Sequence, residues 1–419
     1  MNRLILIGNG FDLAHGLKTN YADFIDWYWE MWGKRLLSSF NRNEQDQLCS
    51  FKLNNKVNSA GWYYAWHYHY QLSPFITYSG IEIIETAKQD KELCDYTMSS
   101  PLFENICEKL DKGWVDIEDI YYAFLKSSGD PKQINDDLDF IKNKLIEYLS
   151  EIQQVSISKG IFKQSIQNQI LEPIRKEDFA INSLEMYCDM VEERMNYSDE
   201  KWNFLIDGYN VSRTNPQYDI GYIHRIKESL GKEIEQVGIN NVDESFFHKT
   251  FFLPDNIMLL DFNYTNTSDL YLPRGDKFTI NHIHGNLSNP ESVIFGYGDE
   301  RDDEYEKLMK KNDNEYLRHI KSFRYLDASN YRKMLAFIES APYQLCIMGH
   351  SCGLSDRTLL STLFEHPNCV SIKPYYYQKD DGTDNYRELV QNIARNFSDP
   401  HLMRDRVVGK ERCQALGKE

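Results

Sequence analysis

Short apolar runs near both ends of the chain predict β-strands, and the long segment between them has a helical pattern. Leu4–Ile7 is an apolar run that stops at a glycine, which predicts a strand, a turn and then a helix. From about 25 to 245 the sequence is rich in Trp, Tyr, Lys and Glu and has few β-branched runs, which favours helices. Beyond residue 250 short apolar runs return and predict further strands at 257–262, 278–284, 293–295, 344–348 and 370–372.

Helical patterns separate these later strands. Tyr331–Ser340 repeats apolar residues at helical spacing, and Asp356 is a predicted N-cap for a helix over Arg357–Glu365. A last helix is predicted over Asn385–Asn396. Strands that alternate with helices, and that are apolar on both faces, predict a buried parallel sheet.

The two strand-bearing segments are expected to join in one domain. Residues 1–24 and 250–419 would form an α/β, Rossmann-like parallel sheet that binds a nucleotide. Residues 25–249 would then be a large α-helical insertion between the first strand and helix and the remaining strands. The sequence has no internal repeat and no low-complexity linker.

Composition and charge exclude several classes of function. The 419 residues include 47 Lys and Arg against 64 Asp and Glu, and the net charge of −17 repels nucleic-acid phosphates and anionic lipid headgroups. No apolar run is long enough to span a membrane, and the apolar start is too short for a signal peptide. The eight cysteines include no Cys-x-x-Cys pair, which favours reduced thiols. These features predict a soluble cytoplasmic protein that binds neither nucleic acid nor membrane.

The first candidate site is the turn Gly8-Asn9-Gly10-Phe11-Asp12, directly after the first strand. Glycines let the backbone approach a ligand closely, and amides at the start of the next helix favour a phosphate. Leu13 stands where a complete Gly-x-Gly-x-x-Gly motif has its third glycine. The turn predicts nucleotide binding, with a tight strand-to-helix turn as the alternative.

The second candidate site is Asp261-Phe262-Asn263-Tyr264-Thr265, at the end of an apolar strand. Ligands of parallel α/β sheets lie at the carboxyl ends of the strands, so Asn263 is expected to project toward the crevice. Its amide could orient a ribose hydroxyl and an attacking water. The alternative is an Asx-turn that ends the strand.

The third candidate site contains two histidines, His282 and His284. Residues two apart on a strand share a face, so both imidazoles are expected to point the same way. A zinc pair would need a third ligand, and Asp299 has no recognisable spacing, so no metal is predicted. His284 is predicted to be a catalytic histidine at the strand end, with Gly285 opening the turn, and His282 to be structural.

The fourth candidate site is Gly349-His350-Ser351-Cys352-Gly353. It matches Gly-x-Ser-x-Gly, the nucleophile elbow of serine hydrolases. Only 66 residues follow Gly353 to supply the other members of a triad, and the candidates there are His366, His401 and Asp380. The turn is also suited to hold a ribose or a phosphate, and this second interpretation fits the other three turns.

Two further segments are interpreted as structural. The aromatic run from Trp62 to Tyr70 could stack bases, but the negative charge favours helix packing or an oligomer face. The carboxylates of Trp114-Val115-Asp116-Ile117-Glu118-Asp119 are interpreted as a solvated helix start.

Together these turns resemble a known family. Residues 5–24 closely resemble the opening signature of the AbiH family of bacterial phage abortive-infection proteins. The resemblance continues at 114–118, 262–265, 282–285 and 349–356, so it runs along nearly the whole chain. It implies a cytoplasmic bacterial protein of antiphage defence, for which a homo-oligomer and a phage-derived trigger are candidate partners.

The order of the turns also resembles, more distantly, the sirtuin-like NAD-binding domains. By this resemblance His284 is the base and Asn263 positions ribose or water. The residues implied to contact NAD are Gly8, Asn9, Gly10, Phe11 and Asp12 in the first turn, Thr265 after Asn263, and Gly349, His350 and Ser351 in the last turn. Thr19, Tyr21 and Asp23 would lie in the loop that closes over the nicotinamide end.

The sequence differs from the patterns of these two families in three ways, and these differences bear on which reaction is expected. Sirtuins usually carry an Asp at the position of Thr265, and AbiH relatives tend to have Leu at the position of Cys352. The four-cysteine zinc module of the sirtuins is also missing. Cleavage of NAD by water is therefore the expected chemistry, rather than protein deacetylation.

These observations lead to one main hypothesis and two alternatives. The main hypothesis is an abortive-infection effector that hydrolyses NAD to nicotinamide and ADP-ribose, with NAD as substrate and no metal. The first alternative is a non-catalytic module that senses NAD or another nucleotide and acts through a partner or an oligomer. The second alternative is a serine hydrolase that uses Ser351.

Overall fold

The computed structural model describes residues 1–69, 78–110, 116–127, 129–157, 160–209, 220–242, 249–271 and 277–418. The strands of this part of the chain are β1 (Asn2–Ile7), β2 (Asn43–Gln45), β3 (Cys49–Leu53), β4 (Cys94–Met98), β5 (Ile257–Asp261), β6 (Phe278–His282), β7 (Tyr343–Met348) and β8 (Cys369–Tyr375). No helix within these ranges has both the length and the apolar character needed to cross a membrane.

The α-helices of the described ranges fall into two groups. The first group precedes β5: α1 (Asn9–Ala14), α2 (Tyr21–Ser38), α3 (Trp62–His69), α4 (Gly80–Gln89), α5 (Pro101–Leu110), α6 (Ile117–Ser127), α7 (Pro131–Ile157), α8 (Gln164–Ile170), α9 (Leu184–Met195), α10 (Asp199–Gly208) and α11 (Ile220–Val237). The second group follows β6: α12 (Asp303–Lys310), α13 (Lys321–Arg324), α14 (Asn330–Ser340), α15 (Arg357–Phe364), α16 (Tyr386–Arg395) and α17 (Pro400–Arg406).

Five strands form one parallel sheet in the order β6-β5-β1-β7-β8. The first strand of the chain lies at its centre, where Ile7 is opposite Asp261 on one side and Met348 on the other. All five strands therefore end at the same edge. The turns that follow β1, β5, β6 and β7 meet along this carboxyl edge, because parallel strands bring their ends together.

Alternating side chains of β1 supply two separate hydrophobic cores. Leu4 and Leu6 face a core that contains Met334 and Ile338 of α14, together with residues of α15 and α16. Ile5 and Ile7 face the opposite core, which residues of α8–α11 cover. This alternation follows from the two-residue period of a strand, and it accounts for the complete burial of β1.

The segment predicted as one insertion contributes to two cores. Residues from α2 to α7 and the antiparallel sheet β2-β3-β4 share a third core with buried residues of the segment 287–320. In contrast, α8–α11 pack on the parallel sheet. The predicted domain boundaries at 24 and 250 stay a prediction.

A buried ionic cluster fastens the segment after α8 to the sheet. Lys373 Nζ of β8 lies 2.8 Å from Glu172 Oε1 and 3.0 Å from Asp178 Oδ2. Arg3 of β1 donates to the carbonyl of Ile170 at 3.0 Å. Buried charges are tolerated only when they are paired, so this cluster fixes α8 against the sheet.

Most of the predicted later elements are confirmed. Strands occur at four of the five predicted runs beyond residue 250, and α14, α15 and α16 match the predicted helices within one residue at each end. The strand predicted at 293–295 is wrong, since the described backbone there is not in a strand. The run is short and follows a turn at Pro290, and Ile294 N–H donates to the carbonyl of His284 at 2.9 Å.

Within the segment predicted to be helical, the small antiparallel sheet was missed, whereas the packing of the aromatic run was predicted. The sheet β2-β3-β4 was not predicted, because its strands are short and mix polar with apolar residues, without the apolar run that marks β1, β5 and β7. The aromatic run 62–70 begins α3, and Trp62 and Trp66 are buried in the core, as predicted for helix packing. Tyr63 and Tyr64 are exposed, and Tyr70 lies outside the described residues.

The close contact between the first and last glycine turns makes a testable prediction. A Cβ at Gly10 would lie 2.9 Å from the Gly349 Cα and carbonyl oxygen, so Gly10→Ala should lower the free energy of unfolding by about 1–3 kcal/mol. The matched control is Gly129→Ala, where a Cβ meets nothing within 4 Å and we expect a change within about 0.5 kcal/mol. Urea unfolding of both variants measures the difference. Equal stability of the two would contradict the close packing of the turns.

Candidate active site

The glycine turn after β1 packs directly against the turn after β7. Gly8 N–H donates to the Met348 carbonyl at 3.3 Å, and Gly10 N–H donates to the Gly349 carbonyl at 2.8 Å. Gly349 has φ +81°, and a Cβ there would lie 2.1 Å from the Phe11 nitrogen. Both turns need glycine because two backbones touch. Phe11 N–H donates to the Gly8 carbonyl at 2.8 Å, so three amides of the predicted phosphate-binding turn already have acceptors within the protein.

Asn263 lies at the carboxyl edge, as predicted, and it links β5 to the glycine turn. Its Nδ2 donates to the Gly8 carbonyl at 3.1 Å, and the residue is 9% exposed. The Asx-turn that ends β5 is made by a different residue, since Asp261 Oδ1 accepts the Asn263 N–H at 2.9 Å. The Asn263 side chain is therefore available to bridge neighbouring turns and not to end its own strand.

Thr265 points into the protein. Its hydroxyl donates to Asp12 Oδ2 at 2.6 Å, and both residues are buried. Burial raises the pKa of Asp12 to about 6, although the hydrogen bond from Thr265 and the nearby polar side chains of Thr267 and Asn263 act to lower it. Asp12 is thus a desolvated carboxyl between the first two candidate turns.

The residues predicted to close over a ligand separate in the structure. Thr19 donates to Asn9 Oδ1 at 2.5 Å, and Asp23 N–H is capped by Asn20 at the start of α2. Burial raises the pKa of Tyr21, and the charge of Glu118 raises it further, so Tyr21 lies near that carboxylate. Of these three predicted residues, Tyr21 is the one that borders the buried charges described below.

His282 and His284 do not point the same way, and that expectation is wrong. The strand β6 ends at His282, and Gly285 has φ +76°, so strand alternation does not extend to His284. His282 lies 3.4 Å from both Asp261 and Asp269, while His284 contacts Asp356. In the ranges that the structure describes, no group of three His, Cys, Asp or Glu residues could hold a metal ion, and Asp299 is paired with Arg357 at 3.1 Å.

His284 has the surroundings of an oriented base. Its Nε2 lies 3.3 Å from Asp356 Oδ1 and 3.0 Å from the Tyr325 hydroxyl. A carboxylate beside Nε2 favours the tautomer with the proton on that nitrogen, which leaves Nδ1 unprotonated. Burial and the nearby Lys321 lower the pKa of His284, so the imidazole is neutral at pH 7.

Asp356 is the centre of a buried charge cluster. Lys321 Nζ lies 2.8 Å from Asp356 Oδ1 and 2.8 Å from Glu118 Oε2, and His350 Nε2 lies 3.5 Å from Asp356 Oδ2. Burial would raise the pKa of Asp356, but Lys321 and His284 outweigh it and hold the pKa well below the usual range. Asp356 is the N-cap residue of α15, as predicted, but its carboxylate makes no capping bond and binds this cluster instead.

Glu118 lies inside the protein, so the prediction of a solvated helix start is wrong for this residue. It is 7% exposed, and its Oε1 accepts the Gly296 N–H at 2.9 Å. Burial raises the pKa of Glu118 to about 8, against the lowering effect of Lys321. Asp116 does cap the start of α6, accepting the Glu118 N–H at 2.9 Å, whereas Trp114 and Val115 lie outside the described residues.

Aromatic rings and the last glycine turn complete the site. The Phe262 ring lies 5.0 Å from the His284 ring and 4.2 Å from the His350 ring. His350 Nδ1 accepts the Cys352 N–H at 3.0 Å, so its Nε2 carries the proton toward Asp356. Asn263, His284 and His350 therefore come from three strand ends, and Phe262 joins two of them.

Ser351 does not have the surroundings of a hydrolase nucleophile. The strained residue of the turn is Cys352, with φ 55°, whereas Ser351 is exposed and α15 begins only at Arg357. His366 Nδ1 accepts the Asn368 N–H, and His401 Nδ1 contacts Arg404. Within the described residues, no histidine or carboxylate pairs with the Ser351 hydroxyl, so the predicted triad is not assembled.

Three members of the cluster were not singled out as functional from the sequence. Lys321 and Tyr325 belong to a polar stretch without a motif, and Asp356 was interpreted only as a helix cap. Lys321 is separated from Glu118 by 203 positions and from Asp356 by 35. The available signal was a lysine between Ile320 and the Ser322-Phe323 pair, which is weak evidence of burial.

Comparison with known proteins identifies the family. A family model described as bacteriophage abortive infection AbiH matches residues 4–377, which include all four turns and every member of the charge cluster. No curated protein and no solved structure matches the chain. The distant similarity to sirtuin-like domains is not shown by these comparisons and stays a prediction. Because the match extends over most of the sequence, the chain belongs to the AbiH family of bacteriophage abortive infection proteins.

Proposed function

We propose that this AbiH protein acts in phage defence by hydrolysing NAD to nicotinamide and ADP-ribose. The observation that carries the proposal is the pair His284–Asp356, a neutral imidazole oriented by a buried carboxylate at the carboxyl edge of a parallel sheet. A single base in such a pair can contribute about 10²–10⁴-fold to a rate. The family supports the role in abortive infection, and the site supports the chemistry.

The order of the strands supports a nucleotide as the ligand. Counted along the chain, the five strands of the sheet lie in the order 3-2-1-4-5, which is the order of doubly wound dinucleotide-binding sheets. Such sheets bind ligands outside the strand ends where the order reverses. In this protein the reversal lies between β1 and β7, where the Gly8 and Gly349 turns meet, and Asn263 and His350 border the same place.

The proposed reaction needs positioning and one base. The bond between the nicotinamide nitrogen and the ribose C1 carbon breaks, and its electron pair leaves with nicotinamide, which becomes neutral. A water molecule oriented by Asn263 adds to the oxocarbenium-like carbon, and its proton passes to His284 Nδ1. Asp356 then stabilises the resulting imidazolium, as a carboxylate paired with the other ring nitrogen does.

Chromatography of nicotinamide after incubation with NAD tests this proposal. We expect release by the wild-type protein and a loss of at least about tenfold in Asn263→Ala, because the water is no longer oriented. The matched control is Asn266→Ala, whose side chain donates to Ser288 at 3.0 Å, and which should keep wild-type activity. Equal release by all three proteins would contradict the role of Asn263, and release by none would contradict hydrolysis.

The lowered pKa of His284 predicts the pH below which kcat/KM for NAD hydrolysis falls. The base is active when unprotonated, and burial together with Lys321 keeps it unprotonated below its ordinary pKa of about 6.5. We expect kcat/KM for NAD to stay constant as the pH falls to 6.5 and to decline only below that value. A limb centred above pH 6.5 would show that a different group is the base.

Binding of NAD without hydrolysis is the second candidate function. The observation that favours it is the burial of His284, Lys321 and Asp356, which are each at least nine-tenths inside the protein. A ligand that binds without turnover should raise the melting temperature by mass action while nicotinamide stays absent. In that case the protein would act through a partner or an oligomer, and a phage-derived trigger would bind the same assembly.

A further inference from the structure

The Asp12 carboxyl has one oxygen for which the described residues supply no hydrogen-bond donor. Asp12 is 1% exposed, and its Oδ2 accepts the Thr265 hydroxyl at 2.6 Å. Its Oδ1 is buried and accepts no hydrogen bond from the part of the chain that the structure describes. A buried acceptor without a donor costs about 1–3 kcal/mol, so this oxygen requires an explanation.

The position of Asp12 connects this oxygen with the proposed site. Asp12 belongs to the glycine turn after β1, and Thr265 and Asn263 belong to the turn after β5. Asn263 also donates to the Gly8 carbonyl, so the two turns are joined twice. The Oδ1 atom of Asp12 therefore lies between two strand ends at the carboxyl edge, where ligands of parallel sheets bind.

The chemistry of this turn favours a sugar over a phosphate. The amides of Gly8, Gly10 and Phe11 already donate to backbone carbonyls, so they cannot also cradle an anion. The carboxyl of Asp12 would repel a phosphate as well. A desolvated carboxylate oxygen instead accepts a strong hydrogen bond from a hydroxyl group.

We propose that Asp12 Oδ1 accepts a hydrogen bond from a hydroxyl of the ribose next to nicotinamide, so that the glycine turn recognises the sugar and not the diphosphate. This inference rests on the proposed function, because it takes NAD as the ligand. Burial raises the pKa of Asp12 to about 6, and ionisation at neutral pH leaves Oδ1 as an acceptor only.

Isothermal titration with ADP-ribose and with ADP tests the inference, since only ADP-ribose carries the second ribose. We expect Asp12→Asn to weaken ADP-ribose binding by about 10- to 100-fold and to change ADP binding by less than about threefold. The matched control is Asn266→Ala in the same segment, whose side chain donates to Ser288 and not to Asp12. It should weaken ADP-ribose binding by less than about threefold.

A change in the ligand tests the same contact without changing the protein. ADP-ribose that lacks the 2-hydroxyl or the 3-hydroxyl of its terminal ribose should bind wild type at least about tenfold more weakly in one of the two forms. The Asp12→Asn protein should bind that form and normal ADP-ribose equally. The measurement with wild type does not depend on whether Asp12→Asn folds. If wild type bound both deoxy forms with the affinity it has for normal ADP-ribose, the inference would be overturned.

The outcomes separate this inference from the proposed function. Equal weakening in Asp12→Asn and Asn266→Ala would show that the loss does not come from the Asp12 carboxylate, which overturns the inference. Unchanged ADP-ribose binding by Asp12→Asn overturns it as well, while nicotinamide release by wild type would keep the proposed function. The expected losses without any nicotinamide release would support the inference and overturn hydrolysis. Failure of wild type to bind ADP-ribose would overturn both the inference and the proposed binding of NAD.

Discussion

Replacing His284 with glutamine should reduce nicotinamide release from NAD by about 10²–10⁴-fold, the usual contribution of a general base. Glutamine is similar to histidine in size and polarity, but its amide cannot take the proton that the imidazole Nδ1 would accept. The loss should appear in kcat, because the base acts in the transition state and not in binding. Steady-state kinetics by nicotinamide chromatography measures it.

His282 provides the matched control for this experiment. It lies two residues from His284 but contacts Asp261 and Asp269 in place of Asp356. His282→Gln should therefore keep nicotinamide release within about threefold of wild type, since its imidazole does not face the proposed base position. If both variants lost activity equally, the assignment of His284 would be wrong. If neither did, another residue would be the base.

Replacing Lys321 with methionine should lower the free energy of unfolding by about 3–5 kcal/mol, as expected when one member of a buried ion pair is removed. Lys321 is completely buried and is the cation between Glu118 and Asp356. Its loss leaves two buried carboxyls without their shared donor. Urea unfolding at pH 7 measures the change.

The cost of Lys321→Met should depend on pH with a definite sign. The low folded-state pKa of Asp356 contributes stability that is present above its unfolded pKa of about 3.9 and is lost as pH falls further. That stability comes first from Lys321, so the variant should approach wild type toward pH 3. Lys307→Met is the control, because Lys307 is 65% exposed and pairs with Glu304 on the surface. It should change stability by less than about 0.5 kcal/mol at any pH.

A second substitution separates lost charge from lost packing. Adding Glu118→Gln to Lys321→Met removes one of the stranded carboxyls, and its amide can still accept the Gly296 N–H. The double variant should therefore be more stable than the single variant. Equal or lower stability of the double variant would indicate that Lys321 acts mainly by filling space.

Local signals in the sequence were sufficient for the parallel sheet and for the position of the turns. The runs Leu4–Ile7, 257–260 and 345–348 are apolar at every position, as expected of strands that are buried on both faces. Gly8 and Gly349 end two of these strands, and glycine there predicts a close approach of backbones. The structure shows that the partner in this approach is the other turn.

The run at 293–295 shows where local signals fail. Three adjacent apolar residues are typical of a strand but also of a buried loop. In the structure they form a loop, which follows the turn at Pro290 and is held by the hydrogen bond from Ile294 to the His284 carbonyl. The prediction that His282 and His284 share one face of a strand is wrong for a similar reason. Alternation holds only while the strand continues, and β6 ends at His282.

What the sequence determined by itself is therefore the strands of the parallel sheet and the helices between them, the charge and the residues at the strand ends, because each depends on neighbours within a few positions. Only the tertiary structure decided which of these residues act together. Lys321 meets Glu118 across 203 positions, and Asp356 faces His284 while it is also the N-cap residue of α15. Pairings of this kind arise from the parallel ends of strands and the loops packed over them, and no local pattern records the partner. The Asp12 Oδ1 atom is a further example, since only the surrounding turns show that the described part of the chain supplies no donor to it.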